Sequence, residues 1–228
     1  MIPTKTFIIR ISSPISQQYA KICADTCANL GIEYEFFEGV ENMRSYDAWC
    51  TTGLDIKPGS MDHRKNSHGI DAAACCSVSH ALIWQRIVET QQCAVILEHD
   101  ALMLHKIDMD IPDGKIVALG YKLTNPNRYD HIKAEPPKNI LDIKYHHGSH
   151  AYAITPKTAE MLLNELRVYG GGGPIDNRFF MRERWSKIPI TIMEPTPAIG
   201  WIRESTICEK SNEVCGIPIP SFFNHLKT

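Results

Sequence analysis

Cys93-Ala-Val-Ile-Leu-Glu-His-Asp-Ala101 is the segment that decides the reading of this chain. Its apolar run ends abruptly at Glu98-His99-Asp100, which predicts a buried strand stopping at two carboxylates. Carboxylates at a sheet edge call for a cation or dense hydrogen bonding, because uncompensated charge is costly to bury. In α/β proteins that edge is also where ligands bind. Residues two apart on an extended segment face the same side, so Glu98 and Asp100 are expected to converge while His99 points elsewhere. Oxygen donors of this kind suit Mg²⁺ or Mn²⁺. Such an ion could bridge a diphosphate and neutralise charge on a departing nucleotide. By itself, an acidic turn is also the ordinary solvated end of a strand.

Working outward, residues 6–12 read as a first strand, rich in Ile and Phe. Ser13-Pro14 opens a helix that runs to about residue 30, where Gly31 is a natural stop. A second strand over 33–37 completes a β-α-β opening, which favours a parallel sheet. Residues 41–70 read as a long polar loop with short helical turns. A helix over 71–91, apolar on much of its circumference, leads directly into the strand before Glu98. Strands follow at 115–119, 150–154 and 188–193. Thr155-Pro156 caps a helix reaching about residue 168, and 176–185 reads as helical. Residues 121–145 and the proline-rich tail from 194 read as irregular. No repeat or clear linker divides the chain, so one domain over residues 1–228 is expected.

With 228 residues and a formal net charge of −2, the chain has room for one large α/β domain and no basic block to bind nucleic acid. It has no apolar stretch long enough to span a bilayer, and Phe7-Ile-Ile9 is too short for a secretory signal. A cytoplasmic location is the expectation. The eight cysteines form no CxxC pair, which argues against a zinc ribbon or a thioredoxin-like motif. Cys23 and Cys27 are expected to pack as free core thiols, and Cys208–Cys215 is the one disulfide pairing worth checking.

Two longer blocks and one short one add a family signal. Cys76-Ser-Val-Ser79-His80-Ala-Leu-Ile-Trp84 followed by Ala94-Val-Ile-Leu-Glu98-His99-Asp100 resembles the Ser-His-x-x-x-Trp helix and Glu-Asp-Asp strand end of glycosyltransferase family 25. That family includes lipopolysaccharide and collagen galactosyltransferases. Gly148-Ser-His150-Ala-Tyr152 is similar to its Gly-Thr-His-x-Tyr strand, and Pro174-Ile-Asp176 to its Pro-Val-Asp. The resemblance implies a GT-A fold, a Rossmann-like α/β/α sandwich with a mixed, mainly parallel sheet. It implies a UDP-galactose or UDP-glucose donor, usually Mn²⁺, and transfer with inversion at the sugar carbon. The acceptor is left open among a glycan, a lipid-linked sugar, a protein hydroxyl and a modified base. His99 departs from the pattern by replacing the middle acid. Ile11-Ser-Ser-Pro-Ile15 stands where an Asp-Arg-Arg run is usual.

Asp100 and Glu98 are therefore the candidate metal ligands, with Glu98 alternatively holding backbone or donor ribose. Asp176 is the candidate general base, since inverting transfer needs a group to take the acceptor hydroxyl's proton. It is equally a natural N-cap. Ser79 and His80 would shape the donor pocket from beneath, unless His80 is simply a hydrogen-bonded core residue. His150 is a candidate donor or acceptor contact, and a metal site in the patch with His146 and His147 is less favoured because no helical ligand spacing supports it. Gly170 to Gly173 read as a hinge rather than a phosphate cradle. Trp185 and Trp201 read as core, with sugar stacking as the alternative. Two rival readings are a non-catalytic relative that binds nucleotide sugar or glycan, and a metal-dependent phosphoesterase.

Overall fold

The computed structural model describes residues 1–56, 70–122, 135–171, 174–181 and 186–200. Trp185, Trp201, Cys208, Cys215, Gly172 and Gly173 lie outside the described residues, as do residues 57–69 of the loop expected over 41–70.

The opening follows its expected pattern. Strand β1 (Lys5–Arg10) buries Phe7 and Ile9 on one face of the sheet and Ile8 on the other. Helix α1 (Pro14–Asn29) starts with proline in its first turn, where no intrahelical N–H is lost. Ala20, Cys23, Ala24 and Cys27 recur at helical spacing and form its buried stripe. Gly31, at φ +63°, lets the chain leave the helix in the left-handed region. Strand β2 (Glu35–Glu38) then pairs parallel with β1. Within the next polar stretch, residues 45–50 form the short helix α2 (Ser45–Cys50).

Helix α3 (Ile70–Thr90) is buried on several sides because it packs against the sheet, α2 and a later helix. It delivers the chain into the central strand β3 (Ala94–Glu98), which pairs parallel with β1 on one side and antiparallel with β8 (Ala151–Ile154) on the other. Beyond β8 come β5 (Ile116–Ala118), β9 (Ile190–Glu194) and β7 (Asn139–Ile143). Strands β2, β1, β3, β5 and β9 run one way, and β8 and β7 run the other. The sheet is mixed. Helix α4 (Pro156–Tyr169) is capped by Thr155, whose hydroxyl accepts from the Thr158 N–H at 3.4 Å, and it lies beside α3. One buried core joins α2, α3, α4 and the short helix α5 (Ile175–Phe179) to one face of the sheet. A second joins α1 to the opposite face. Cys23, Cys27 and Cys93 are free thiols in that second core, as the sequence suggests.

A smaller sheet of β4 (Ala101–Met103), β10 (Ala198–Gly200) and β6 (Gly120–Lys122) stands at the same end as Glu98. Each of its strands continues a main-sheet strand after a few residues: β3 into β4, β5 into β6, and β9 into β10. Among the described residues, those within 121–145 and at the start of the tail are thus less irregular than expected. Strand β7 hides its signal because it is an exposed edge carrying Asn139 and Asp142. Strand β10 is three residues long and follows Pro195 and Pro197. The helix expected over 176–185 is confined, among the described residues, to α5.

Gly120 sits where β6 meets β10, and a Cβ there would be built into the carbonyl group of Ala198. The obstacle is backbone, so it cannot swing aside. Gly120→Ala should cost about 1–3 kcal/mol, read as a lower urea midpoint with an unchanged slope.

Candidate active site

Glu98 is the last residue of β3. Its N–H donates to the His150 carbonyl at 2.8 Å, which brings the start of β8 alongside it. That pairing works because β8 is antiparallel: its first residues share an edge with the last residues of β3. Ser149, two residues before β8, consequently donates its hydroxyl to Glu98 Oε1 at 2.5 Å. From beneath, His80 of α3 sets its Nε2 3.4 Å from the same oxygen.

His80 is 0% exposed and is fixed from its other nitrogen. Its Nδ1 shares a 2.8 Å hydrogen bond with the Tyr152 hydroxyl, and Trp84 Nε1 donates to that hydroxyl at 2.8 Å. His80 and Trp84 are one helical turn apart on α3, so both meet the same β8 side chain. The column Trp84–Tyr152–His80–Glu98–Ser149 therefore stitches α3, β8 and β3 together. Burial acts to raise the Glu98 carboxyl. The facing His80 imidazole, the Ser149 hydroxyl and the field of His150 outweigh it and pull the group down to about 2. Glu98 is an ionised carboxylate with a 24% exposed side chain, held at a strand's carboxyl end.

Asp100 requires a correction to the expected geometry. The extended conformation stops at Glu98, and His99-Asp100 form a turn before β4 begins at Ala101. Strand alternation therefore does not relate Glu98 to Asp100. Asp100 is 5% exposed, and its charge is felt by Cys23 of α1 and by Cys76 of α3. His99 turns toward α1, its ring parallel to that of Tyr19 at 6.3 Å.

Cys76 was assigned no site role from the sequence, yet it lies where the acids meet. Burial first, then the charges of Glu98, Asp176 and Asp100, hold its thiol well above the ordinary range. All three carboxylates singled out from sequence are within electrostatic reach of this one sulfur. The available signal was its spacing, four residues before His80 on one helix face.

Ser79 is buried, accepting from the Val40 N–H and donating to the Cys75 carbonyl, each at 2.8 Å. It ties the segment after β2 to α3. Ser79 and His80 both support the edge from inside the core. His150 is buried too, its ring packed under Gly200 of β10, where a Cβ would stand 2.9 Å from the ring. Both nitrogens of the neighbouring His146 face carbonyl oxygens, of Gly148 at 2.9 Å and Gly120 at 2.6 Å, so that ring is not turned toward a metal.

Asp176 lies half-buried in the first turn of α5. It is not the N-cap: Pro174 holds that position, and the Asp176 carboxylate accepts from the Asn177 N–H at 2.8 Å. The described part of the glycine connector is braced. Arg178 donates to the carbonyls of Gly170 and Glu165, and Gly171 packs against the Trp49 indole with no room for a Cβ.

Two outcomes follow from the column. Tyr152→Phe strands the Trp84 N–H and the His80 Nδ1 in the core and should cost about 1–3 kcal/mol in chemical denaturation. Glu98→Gln isolates the carboxylate's contribution. The carboxyl titrates lower in the folded chain than in the unfolded one, so its stabilisation is full above the ordinary carboxylate range. That stabilisation is lost as pH falls toward about 2. The stability difference between wild type and Glu98→Gln should therefore be largest above pH ~4.5 and shrink on acidification, by at most about 1.4 kcal/mol per unit. A difference independent of pH would contradict this account.

Comparison with known proteins places the chain. One solved structure, a glycosyltransferase involved in the glycosylation of the major capsid of PBCV-1, is 12% identical to it. The match covers 72% of this chain and 67% of that one, with a TM-score of 0.36. No curated protein matches. The family model described as glycosyltransferase family 25 (LPS biosynthesis protein) matches residues 4–178, a span containing the Ser79-His80 helix, the Glu98 strand end, the His150 strand and Asp176. This chain belongs to glycosyltransferase family 25.

Proposed function

We propose that this protein is a metal-dependent, inverting glycosyltransferase of GT-A type that moves galactose or glucose from a UDP-sugar to an acceptor hydroxyl. Family membership supports sugar transfer. The observation that carries the finer reading is the Glu98 carboxylate, kept ionised at a strand's carboxyl end by His80 and Ser149. Helical layers on both faces of a sheet whose β1, β2, β3, β5 and β9 run together favour the GT-A architecture. Among the described residues no helix is long and apolar enough to cross a membrane.

The donor set suits the family's ion. Glu98 and Asp100 offer hard oxygen ligands, and an Asp100 carboxylate that is 5% exposed is the kind of group a cation stabilises. Glu98 and Asp100 would hold Mn²⁺ or Mg²⁺, which when bound offsets the charge growing on the departing diphosphate. The remaining work falls to the chain's own groups. His80 and Ser149 fix the Glu98 carboxylate, while Ser79 and His150 brace the edge around it. Asp176 takes the acceptor hydroxyl's proton on a carboxylate oxygen as the hydroxyl oxygen bonds to the sugar carbon. The bond from that carbon to the diphosphate oxygen breaks on the opposite face, which inverts the centre.

A thermal-shift panel of UDP, GDP, CDP and their sugars, with and without Mn²⁺, tests the reading. At 100 times its dissociation constant a ligand stabilises by about 2.7 kcal/mol. A shift confined to uridine compounds, dependent on Mn²⁺ and lost in Asp100→Ala, is expected. Asp176→Asn should lower UDP release with acceptor by about 10²–10⁴-fold without removing donor binding. A donor-induced shift with no UDP release from wild type would instead identify a non-catalytic binder.

A further inference from the structure

We infer that Cys76, His80 and Glu98 form a binding site for a borderline-soft transition metal, with Zn²⁺ the natural occupant. The inference shares Glu98 with the transferase reading and is tested without any sugar. Each of the three residues offers one ligand atom, and the three atoms lie within 4.8 Å of one another. Cys76 and His80 are an i, i+4 pair on α3, so both project from one face of a rigid helix. Glu98 meets them from the end of the central strand.

A second observation points to a ligand. His80 is 0% exposed, yet its Nε2 makes no hydrogen bond. The atom it faces, Glu98 Oε1, is 3.4 Å away, an ion-pair separation that is long for a hydrogen bond. Two nitrogen or oxygen ligands about 2.0–2.1 Å from a tetrahedral zinc stand about 3.4 Å apart. The spacing that leaves the imidazole nitrogen unsatisfied is thus the edge of a zinc tetrahedron. A sulfur bound to the same centre at about 2.3 Å would stand about 3.5 Å from the other two donors, so at most about 1.3 Å of the 4.8 Å separation has to close.

The surroundings complete the site. A metal-bound imidazole characteristically donates its other N–H to an oxygen, which orients the ring. His80 Nδ1 has the Tyr152 hydroxyl at 2.8 Å for that purpose, and Trp84 holds the hydroxyl in place. Ser149 orients the carboxylate in the same way. Glu98 and Cys76 are only partly buried, and the fourth position would be left to water or a ligand. One sulfur, one nitrogen and one oxygen donor match zinc better than Mn²⁺ or Mg²⁺, which prefer all-oxygen sets. Binding displaces the Cys76 thiol proton to solvent. Asp100 is not among the three ligands.

Titration of the full chain with Co²⁺, a spectroscopic substitute for zinc, provides the test. One equivalent should produce a near-ultraviolet thiolate-to-cobalt charge-transfer band with intense visible bands of tetrahedral cobalt, and one equivalent of Zn²⁺ should erase both. Cys76→Ser should lose the charge-transfer band, and so should Cys76→Ala. Cys50→Ser, which removes an exposed thiol outside the cluster, should keep it. Ser149→Ala should weaken affinity by about tenfold or more. A folded wild-type chain that gives no charge-transfer band would overturn the inference. A band that survives in a folded Cys76 variant would overturn it as well. Both results are read without sugar or UDP release, so the zinc site can fail while the transferase reading stands.

Discussion

Glu98 carries its charge to a place where one side is core and the other is solvent, and the protein answers with an imidazole that has no exposure at all. A carboxylate half out of water is tolerable only when its oxygens are occupied. Here Ser149, from the segment leading into β8, donates to one oxygen and the His80 imidazole of α3 faces the same atom, so holding one side chain fixes how a helix and two strands meet. His80 is itself held by Tyr152, and Tyr152 by Trp84, which extends the constraint from the rim deep into the larger core. Trp84 in turn packs edge-on against Phe179 of α5, the helix that bears Asp176. The chemistry at the rim and the packing beneath it are one connected structure.

The direction of β8 makes this possible. A parallel strand beside β3 would bring its own carboxyl end to the rim. The antiparallel strand instead brings its amino end, with Ser149 and the His150 carbonyl, to the end of β3. One reversed strand thereby lets two chemically different segments face each other across a single hydrogen-bonded register.

What could be read from the residues was what local patterning dictates. The apolar run before Glu98, the proline and glycine that bracket α1, the largely apolar circumference of α3 and the Thr155 cap all correspond to elements of the structure. The reversal of β8 was not legible, because a buried strand reads the same in either direction. Strands β4, β6 and β10 were hidden by their three-residue lengths, and β7 by its polar edge. At the site, Ser79 and His80 are buried beneath the rim. The turn at His99-Asp100 removed the alternation on which the pairing of Glu98 with Asp100 had rested. Helix periodicity alone shows that Cys76 shares a face with His80, while only the fold shows that this face ends at Glu98.

The small sheet has a consequence for how this rim can vary. Leu119, the single residue between β5 and β6, donates its N–H to the Ala151 carbonyl of the large sheet and accepts at its own carbonyl from the Ala198 N–H of the small one. The two sheets are thus geared together through one peptide unit on each side. An insertion there would slip both ladders at once. Diversification at this boundary is left to exchange of side chains on a frame of fixed length, whereas segments without such gearing are free to grow or shorten.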